Sequence, residues 1–440
     1  MKDLFFALAD RAFSALQPNE VALLNFSGEV TDFVRFNHAQ VRQPMTVRQA
    51  RLSMALIEGR RRNQITLALS GTPEQDGPRL DDALLALRAE LPTLPEDPYL
   101  LYSTAANRSE RIDRGALPSA LQTTEDIVET ARGTDLVGVL GSGPIMRGFA
   151  SSLGARHWHE VDAFLFDWSL YHAGDKAVKC AWSGNTWDRA ELERRIAAAR
   201  DQLTHLSATA RTLEPGEYRA YLAPAALDEL LWMLNWGGVS EKAQRTKQSC
   251  IQKLADGQAT LSPMIRLTED TAGGMAPGFD EAGFSKPARV ELVNVGRLSG
   301  SMVSPRTGAE YGIETNGADE DESMSAMALA PGALPESEAL AALDRGLYIG
   351  NLHYLNFSDR ANGRVTGMTR FATFWVEGGR IAAPANVMRW DDSLYRMLGS
   401  NLEALTDAPQ WILNNGTYGQ RSVQTSRVPG ALLRKMAFTL

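Results

Sequence analysis

Two consecutive stretches, "EVALLNFSGEVTDFVRFNHAQVRQ" (Glu20–Gln43) and "TVRQARLSMALIEGRRRNQITLALSG" (Thr46–Gly71), decide the fold class. Apolar and polar residues alternate along both, so successive side chains must point to opposite faces of a pleated sheet. With turn signals between the runs, the reading is a meander of about four antiparallel strands. Helical patterns flank it, "MKDLFFALADRAFSAL" before and "RLDDALLALRAEL" after. The same order then returns. A helix at "TTEDIVETAR" precedes strand-like runs "DLVGVLGSG", "PIMRGFASSLG", "HEVDAFLFDWSLYH" and "KAVKCAWSG", and a long helix comes next, from Asp188 to about Ala210. Helix, antiparallel strands and helix thus occur twice without residue-level identity, a repeat of architecture alone. The predicted class is α+β.

Pro and Gly in "LEPGEYRAYLAP" interrupt the pattern after the long helix and place a domain boundary near Thr212. Residues 1–212 then form an N-terminal α+β domain of repeated helix and antiparallel-sheet units. Residues 213–440 form a C-terminal, strand-rich mixed α+β domain. In the latter, "ARVELVNVGRLSGSMV" reads as a hairpin, and "GLYIGNLHYLNF" and "GRVTGMTRFATFWVEGGRIAAPANVMRW" as long strands with a tight turn at Gly378 and Gly379. The "ADEDES" segment around Asp319 reads as an acidic surface loop or mobile segment, without the ligand spacing of a calcium loop.

A chain of 440 residues, 44% hydrophobic and 22% charged, can bury two or three cores of ordinary size. A formal charge of −8 and a pI near 5.5 give no long-range attraction to nucleic acid or to an anionic membrane. Arg60, Arg61 and Arg62 lie between two strand-like runs and read as a solvated hairpin turn. Asp10 and Arg11 break the N-terminal apolar run, which suits an amphipathic helix and not a signal peptide. No stretch approaches the ~20 apolar residues of a membrane span. Cys180 and Cys250 offer no disulfide framework and suit a reducing cytoplasm, the expected location.

"GSGPIMRG" (Gly141–Gly148) has the glycines of a phosphate loop, but the residues from Pro144 onward alternate as a strand and supply no helix N-terminus, so it reads as a turn. His157 and His159, two apart in a strand, share a face, and His172 and Cys180 sit across a hairpin. These are the best metal candidates from residues alone, though paired strand histidines more often serve packing or interfaces. His353, flanked by Asn351 and Asn356, reads as a half-buried hydrogen-bonded histidine with a ligand-facing alternative. Neither a nucleophile elbow nor a Cys with a neighbouring His is present.

One helix stands apart. In "LAPAALDELLWMLNWGG" (Leu222–Gly238), Leu227, Leu230, Leu231 and Leu234 form one stripe, and Trp232 and Trp236 fall on the other side. The helix reads as apolar on two faces and emptied of chemistry. Trp232 and Trp236 are candidates for core or for an interface.

That block, with "LVNVGRLSGSMVSPRTGAEYGIETNGA" and "RGLYIGNLHYLNFSDRANGRVTGMTRFATFWVEGGRI" after it, resembles the TldD/PmbA family, described as gyrase modulators and zinc metallopeptidase-like proteins. The resemblance covers nearly the whole chain and is strongest from Pro215 to Ala382. It implies, for the TldD branch, a His-Glu-x-x-x-His helix that holds zinc and supplies a general base, with a Cys-Gly pair near the C-terminus as third ligand. In this chain those positions fall on Trp232, Met233 and Gly237, within a degenerate metal helix at 224–237, and on Tyr418 before Gly419. The chain therefore resembles the TldE/PmbA branch. That resemblance implies a subunit with no catalytic residue and no metal of its own, paired with a zinc-bearing TldD-like chain, the pair acting on unfolded or short peptides in degradation or maturation. Asn351, His353, Asn356 and Arg370 are the candidate peptide-cleft residues. The alternatives are a stand-alone homodimeric peptide-binding scaffold and, more remotely, an enzyme with metal at His157 and His159.

Overall fold

The computed structural model describes residues 1–174 and 176–439. Three strands form the first meander, not four: β1 (Glu20–Asn37), β2 (Gln40–Glu58) and β3 (Arg61–Ala68). The break expected near Pro44 is absent. Pro44 sits opposite Val34 where β3 no longer covers β2, and an uncovered edge tolerates a residue without an N–H. Left-handed His38 and Ala39 close the first hairpin, and Gly59 the second, with Arg60 exposed at the turn as expected.

A second correction concerns "GSGPIMRG". It is no turn; it lies inside β5 (Asp135–Ser151), which pairs without interruption with β6 (Arg156–Ala173). Gly143 makes this possible. Its φ is +133°, and a Cβ there would come within 2.2 Å of the Val30 carbonyl oxygen, so only glycine lets β1 and β5 stay together.

The two expected units merge into one seven-stranded sheet ordered β3-β2-β1-β5-β6, with β4 (Arg108–Asp113) and β7 (Lys176–Gly184) sharing the far edge of β6. One face is covered by helices. α1 (Lys2–Ser14) and α2 (Pro73–Glu90) pack on Leu24, Phe26 and Trp158, while α3 (Ala120–Thr130) and α4 (Arg189–Leu206) pack near Val34, Phe36, Phe166 and Trp168. Asp188 caps α4 through the amide of Ala190, fixing the start anticipated for this helix. The other face, carrying Glu29, Thr31, Phe33 and Arg35, looks toward the C-terminal half.

That half begins with β8 (Gly216–Leu222) and α5 (Pro224–Trp232). A six-stranded sheet is built from β9 (Leu267–Glu269), β10 (Val290–Asn294), β11 (Arg297–Leu298), β12 (Ala326–Leu329), β18 (Gln410–Leu413) and β19 (Thr425–Val428). A seven-stranded sheet joins β8 to β13 (Gly346–Asp359), β14 (Arg364–Glu377), β15 (Arg380–Pro384), β16 (Arg389–Ser393), β17 (Leu402–Leu405) and β20 (Ala431–Phe438). Gly378 and Gly379, both at positive φ, form the tight turn between β14 and β15. α5 and its leucines lie in the core between these sheets.

Arg421 locks the two halves together. Fully buried, its guanidinium donates to Thr31 Oγ1 at 2.9 Å, the Ala163 carbonyl at 2.8 Å and the Gly143 carbonyl at 2.6 Å, and it pairs with buried Glu29 at 3.5 Å. The acidic segment is also anchored. Glu322 is buried and accepts from Ser240 Oγ at 2.5 Å, from the Lys242 amide at 2.9 Å and from the Ser304 amide at 2.8 Å, so it organises the starts of α6 (Glu241–Arg245) and of the short helix Pro305–Tyr311. Only Asp319, Glu320 and Asp321 keep the expected surface position.

Candidate functional site

Pro224 starts α5 with its φ already set, and the leucine stripe Leu227, Leu230, Leu231 and Leu234 is wholly buried. The helix is shorter than the 224–237 expected. It tightens to a 3₁₀ turn at Met233–Asn235 and stops, because Gly237 adopts φ +84° and the Gly238 amide caps the Leu234 carbonyl at 2.7 Å. Arg360 holds the Trp236 carbonyl outside the helix.

The four positions onto which the family resemblance places metal ligands and base are otherwise engaged. Trp232 is half-buried and hydrogen-bonds Asp228, Met233 is core, Gly237 has no side chain, and Tyr418 is fully exposed on the loop before β19. This donor set does not fit zinc, which prefers imidazole, thiolate or carboxylate.

The helix is not empty of chemistry, which corrects the reading of two apolar faces. Asp228 and Glu229 both line a cleft of about 690 Å³ between α5, β7, β13 and the loop at Asn414 and Asn415. Asp228 accepts from Ser426 Oγ at 2.5 Å, and burial pushes its carboxyl up to about 7 against that bond and the one from Trp232. Glu229 accepts from the Leu352 amide at 2.5 Å. Burial pushes it too up to about 7, opposed by that amide, by the Lys179 ammonium and by Asn351. Neither carboxylate has an ion-pair partner among the described residues. Two buried acids with raised pKa facing a cavity are placed to accept a cation or exchange a proton.

Of the candidate cleft residues, Asn351 lines this cleft beside Glu229. His353 lines a second, shallower hollow of about 320 Å³ with Trp232, Trp236 and Tyr354. Arg370 joins it only through His353 Nε2, at 3.1 Å, and exposed Asn356 accepts from its own neighbour Phe357 and lines neither cavity. Trp236 is 51% exposed and meets Phe357 edge-on, whereas Trp232 belongs partly to the core. Tyr354, 81% exposed at φ 55°, and Phe371, at φ 62°, mark bulges in β13 and β14 beside the site.

The histidines do not converge. His157 and His159 open β6 and His172 closes it, while Cys180 pairs with Trp168. His157 stacks on Phe279 and engages Asn107 and Ser109 through both ring nitrogens; His159 meets the Met275 carbonyl at 2.9 Å, and burial with neighbouring Arg111 lowers it to about 4. Both fasten the sheet to the C-terminal half. Among the described residues no group of three or more His, Cys, Asp or Glu could hold a metal.

The sequence reading missed Asp228 and Glu229. The available signal was two acids inside an otherwise apolar helix, between Leu227 and Leu230.

Comparison with known proteins identifies the fold and the family. Residues 215–440 match the family model for the PmbA/TldA metallopeptidase C-terminal domain. The whole chain superposes on a protein described as a modulator of a DNA gyrase from Thermotoga maritima, with a TM-score of 0.76 and 14% identity over 99% of this chain and 100% of that one. TldE from Thermococcus kodakarensis gives 0.75 and 14% over 100% of both chains. A gyrase-modulator homologue from Bacteroides thetaiotaomicron gives 0.72 and 15% over 100% and 98%. At these identities the likeness shows the fold. No curated protein matches. The family match, spanning more than half the chain, makes this protein a member of the TldD/PmbA metallopeptidase family.

Proposed function

We propose that this chain is a TldE-like subunit without metal chemistry of its own, which pairs with a zinc-bearing TldD-like chain and holds an unfolded or short peptide in the cleft beside α5. One observation carries the reading. On the helix where a TldD-like chain would carry its metal motif, the corresponding side chains are a half-buried Trp232, a core Met233 and the helix-ending Gly237. The exposed side of the same helix still fronts a cleft of about 690 Å³. A cleft retained without ligands suits binding and not hydrolysis. No described helix is long and apolar enough to cross a membrane; the proposed location is the cytoplasm.

Mixing the purified chain with a TldD-like partner and an unfolded-peptide substrate tests this. The expected result is a stable complex at nanomolar to micromolar strength, burying upwards of about 1,000 Å², with hydrolysis only in the mixture. The chain alone should carry no stoichiometric zinc. A monodisperse homodimer that ignores every TldD-like partner yet binds peptide would favour the scaffold reading. Zinc lost on changing His157 and His159 to Ala would favour the third.

A further inference from the structure

The cleft does not end at β7. On the side of the N-terminal sheet that faces the C-terminal half, register places Arg35 of β1 opposite Val139 of β5, Val139 opposite Asp167 of β6, and Asp167 opposite Ala181 of β7. These residues share one face. Phe33, Val137, Val139 and Leu165 make its floor within a second hollow of about 360 Å³, whose rim carries Arg35 and Arg42. Asp167 and Asn415 line both this hollow and the main cleft, and the Asn415 side chain donates to Asp167 at 2.7 Å where the two meet. The two hollows thus adjoin at this pair, and a ligand lying along both, as along one groove, would cross the strands.

The ends of the groove differ in charge, with Asp167 between them. At the α5 end, Asp228, Glu229 and Glu336 face Lys179, while Arg194 and Arg195 are bound to Glu191. At the β1 end, Arg35 and Arg42 are exposed without a carboxylate partner among the described residues. Arg42 is the bulged residue of β2, left over where Gln43 faces Arg35 and Val41 faces Phe36. A bulge that re-aims an arginine toward a groove supplies a fork suited to a carboxylate. Three strand spacings separate β1 from β7, about 14 Å, or roughly four residues of extended peptide.

We infer that the groove binds its peptide in one direction, with the free amino end at Asp228 and Glu229 and an acidic residue or terminal carboxylate at Arg35 and Arg42. The inference rests on reading the cleft as a peptide site and specifies its substrate class: short extended peptides of about six residues, apolar where they cross the floor of Phe33, Val137, Val139 and Leu165 and anionic at the C-terminal end. A ligand that crosses strands cannot pair with their edges. Selectivity then comes from the two charged ends and from the apolar floor, and charge complementarity sets the direction.

Fluorescence anisotropy with a labelled hexapeptide of apolar centre tests it. The wild-type chain, alone and with a TldD-like partner, should bind the form with a free amino end and a C-terminal Asp at least about tenfold tighter than its N-acetylated form or a form ending in Lys amide. Arg35→Glu with Arg42→Glu should reverse the preference at the C-terminal end, and Glu229→Gln should erase the difference between free and acetylated ends. Both arginines are exposed, so the reversal variant keeps its fold. Equal affinity for Asp- and Lys-ended peptides, unchanged by the reversal, would overturn the inference and leave the cleft reading intact. Failure of every peptide to bind, with or without partner, would overturn both.

Discussion

Two buried carboxylate sites in this molecule have opposite solutions. Glu29, at the junction of the halves, sits against the Arg421 guanidinium, whose remaining donors are taken up by Thr31 and two carbonyls. Asp228 and Glu229, on α5, have hydrogen bonds but no ion pair among the described residues, with Lys179 across the cavity they face. A buried charge that is paired and saturated has nothing left to offer a ligand and serves the fold. A buried acid left without its counter-charge costs stability, and the natural place to recover that cost is a bound cation.

The strongest way to break the contrast is to put an unpaired acid on the core side of α5. Trp232→His, Met233→Glu and Gly237→His together restore the His-Glu-x-x-x-His pattern, but they bury a carboxylate where Met233 packs and force a side chain onto left-handed backbone. The triple variant should lose roughly 5 kcal/mol or more by chemical denaturation and show no peptidase activity, lacking a third ligand. Robust hydrolysis by it alone would refute the account of the helix.

Arg421→Met strips Glu29 of its cation and should cost about 3–5 kcal/mol. Adding Glu29→Gln should recover more than half of that loss, since the apolar or neutral pair leaves no lone charge. A single-variant loss below about 1 kcal/mol would remove Arg421 from its role as the lock.

The α5 acids should reveal themselves through pH. Their folded values near 7 lie above the ordinary carboxylate range, so the folded state binds their protons more tightly than the unfolded chain does. That stability is fully present below about pH 4 and is lost as pH rises through 7. The pair should contribute a decline of several kcal/mol over this window. Glu229→Gln should flatten the part of it that Glu229 supplies, as followed by denaturation midpoints across pH. A profile unchanged by the variant would show that Glu229 titrates normally.

The smallest effect is expected at the rim. Ala at His353 or Arg370, which meet at 3.1 Å beside the site, should slow peptide turnover by the mixed subunits a few-fold without separating them. Dissociation of the complex would instead make the pair an interface element.

The long strands were readable because alternation is local: the faces of β1 come from Glu20–Asn37 alone, and the start of α4 at Asp188 and the Gly378–Gly379 turn from their own residues. Where the reading slipped, the deciding contact came from far along the chain. Gly143 looks like a turn until Val30 is placed beside it, and Glu322 looks like surface until Ser240 and Ser304 arrive to donate to it. His157 and His159 were candidate ligands only by spacing, which cannot show that Asn107 and Ser109 engage both nitrogens of His157 and that the Met275 carbonyl meets His159 Nε2.

By itself the sequence determined the α+β class and the alternation of faces, because each depends on residue identity and near-neighbour spacing. Only the tertiary structure decided that the two helix-and-strand units share one sheet, that Arg421 holds the halves together, and that Asp228 and Glu229 face a cavity with no ion pair among the described residues. Burial and charge balance belong to groups brought together across hundreds of residues. No local pattern in the chain encodes which of them will meet.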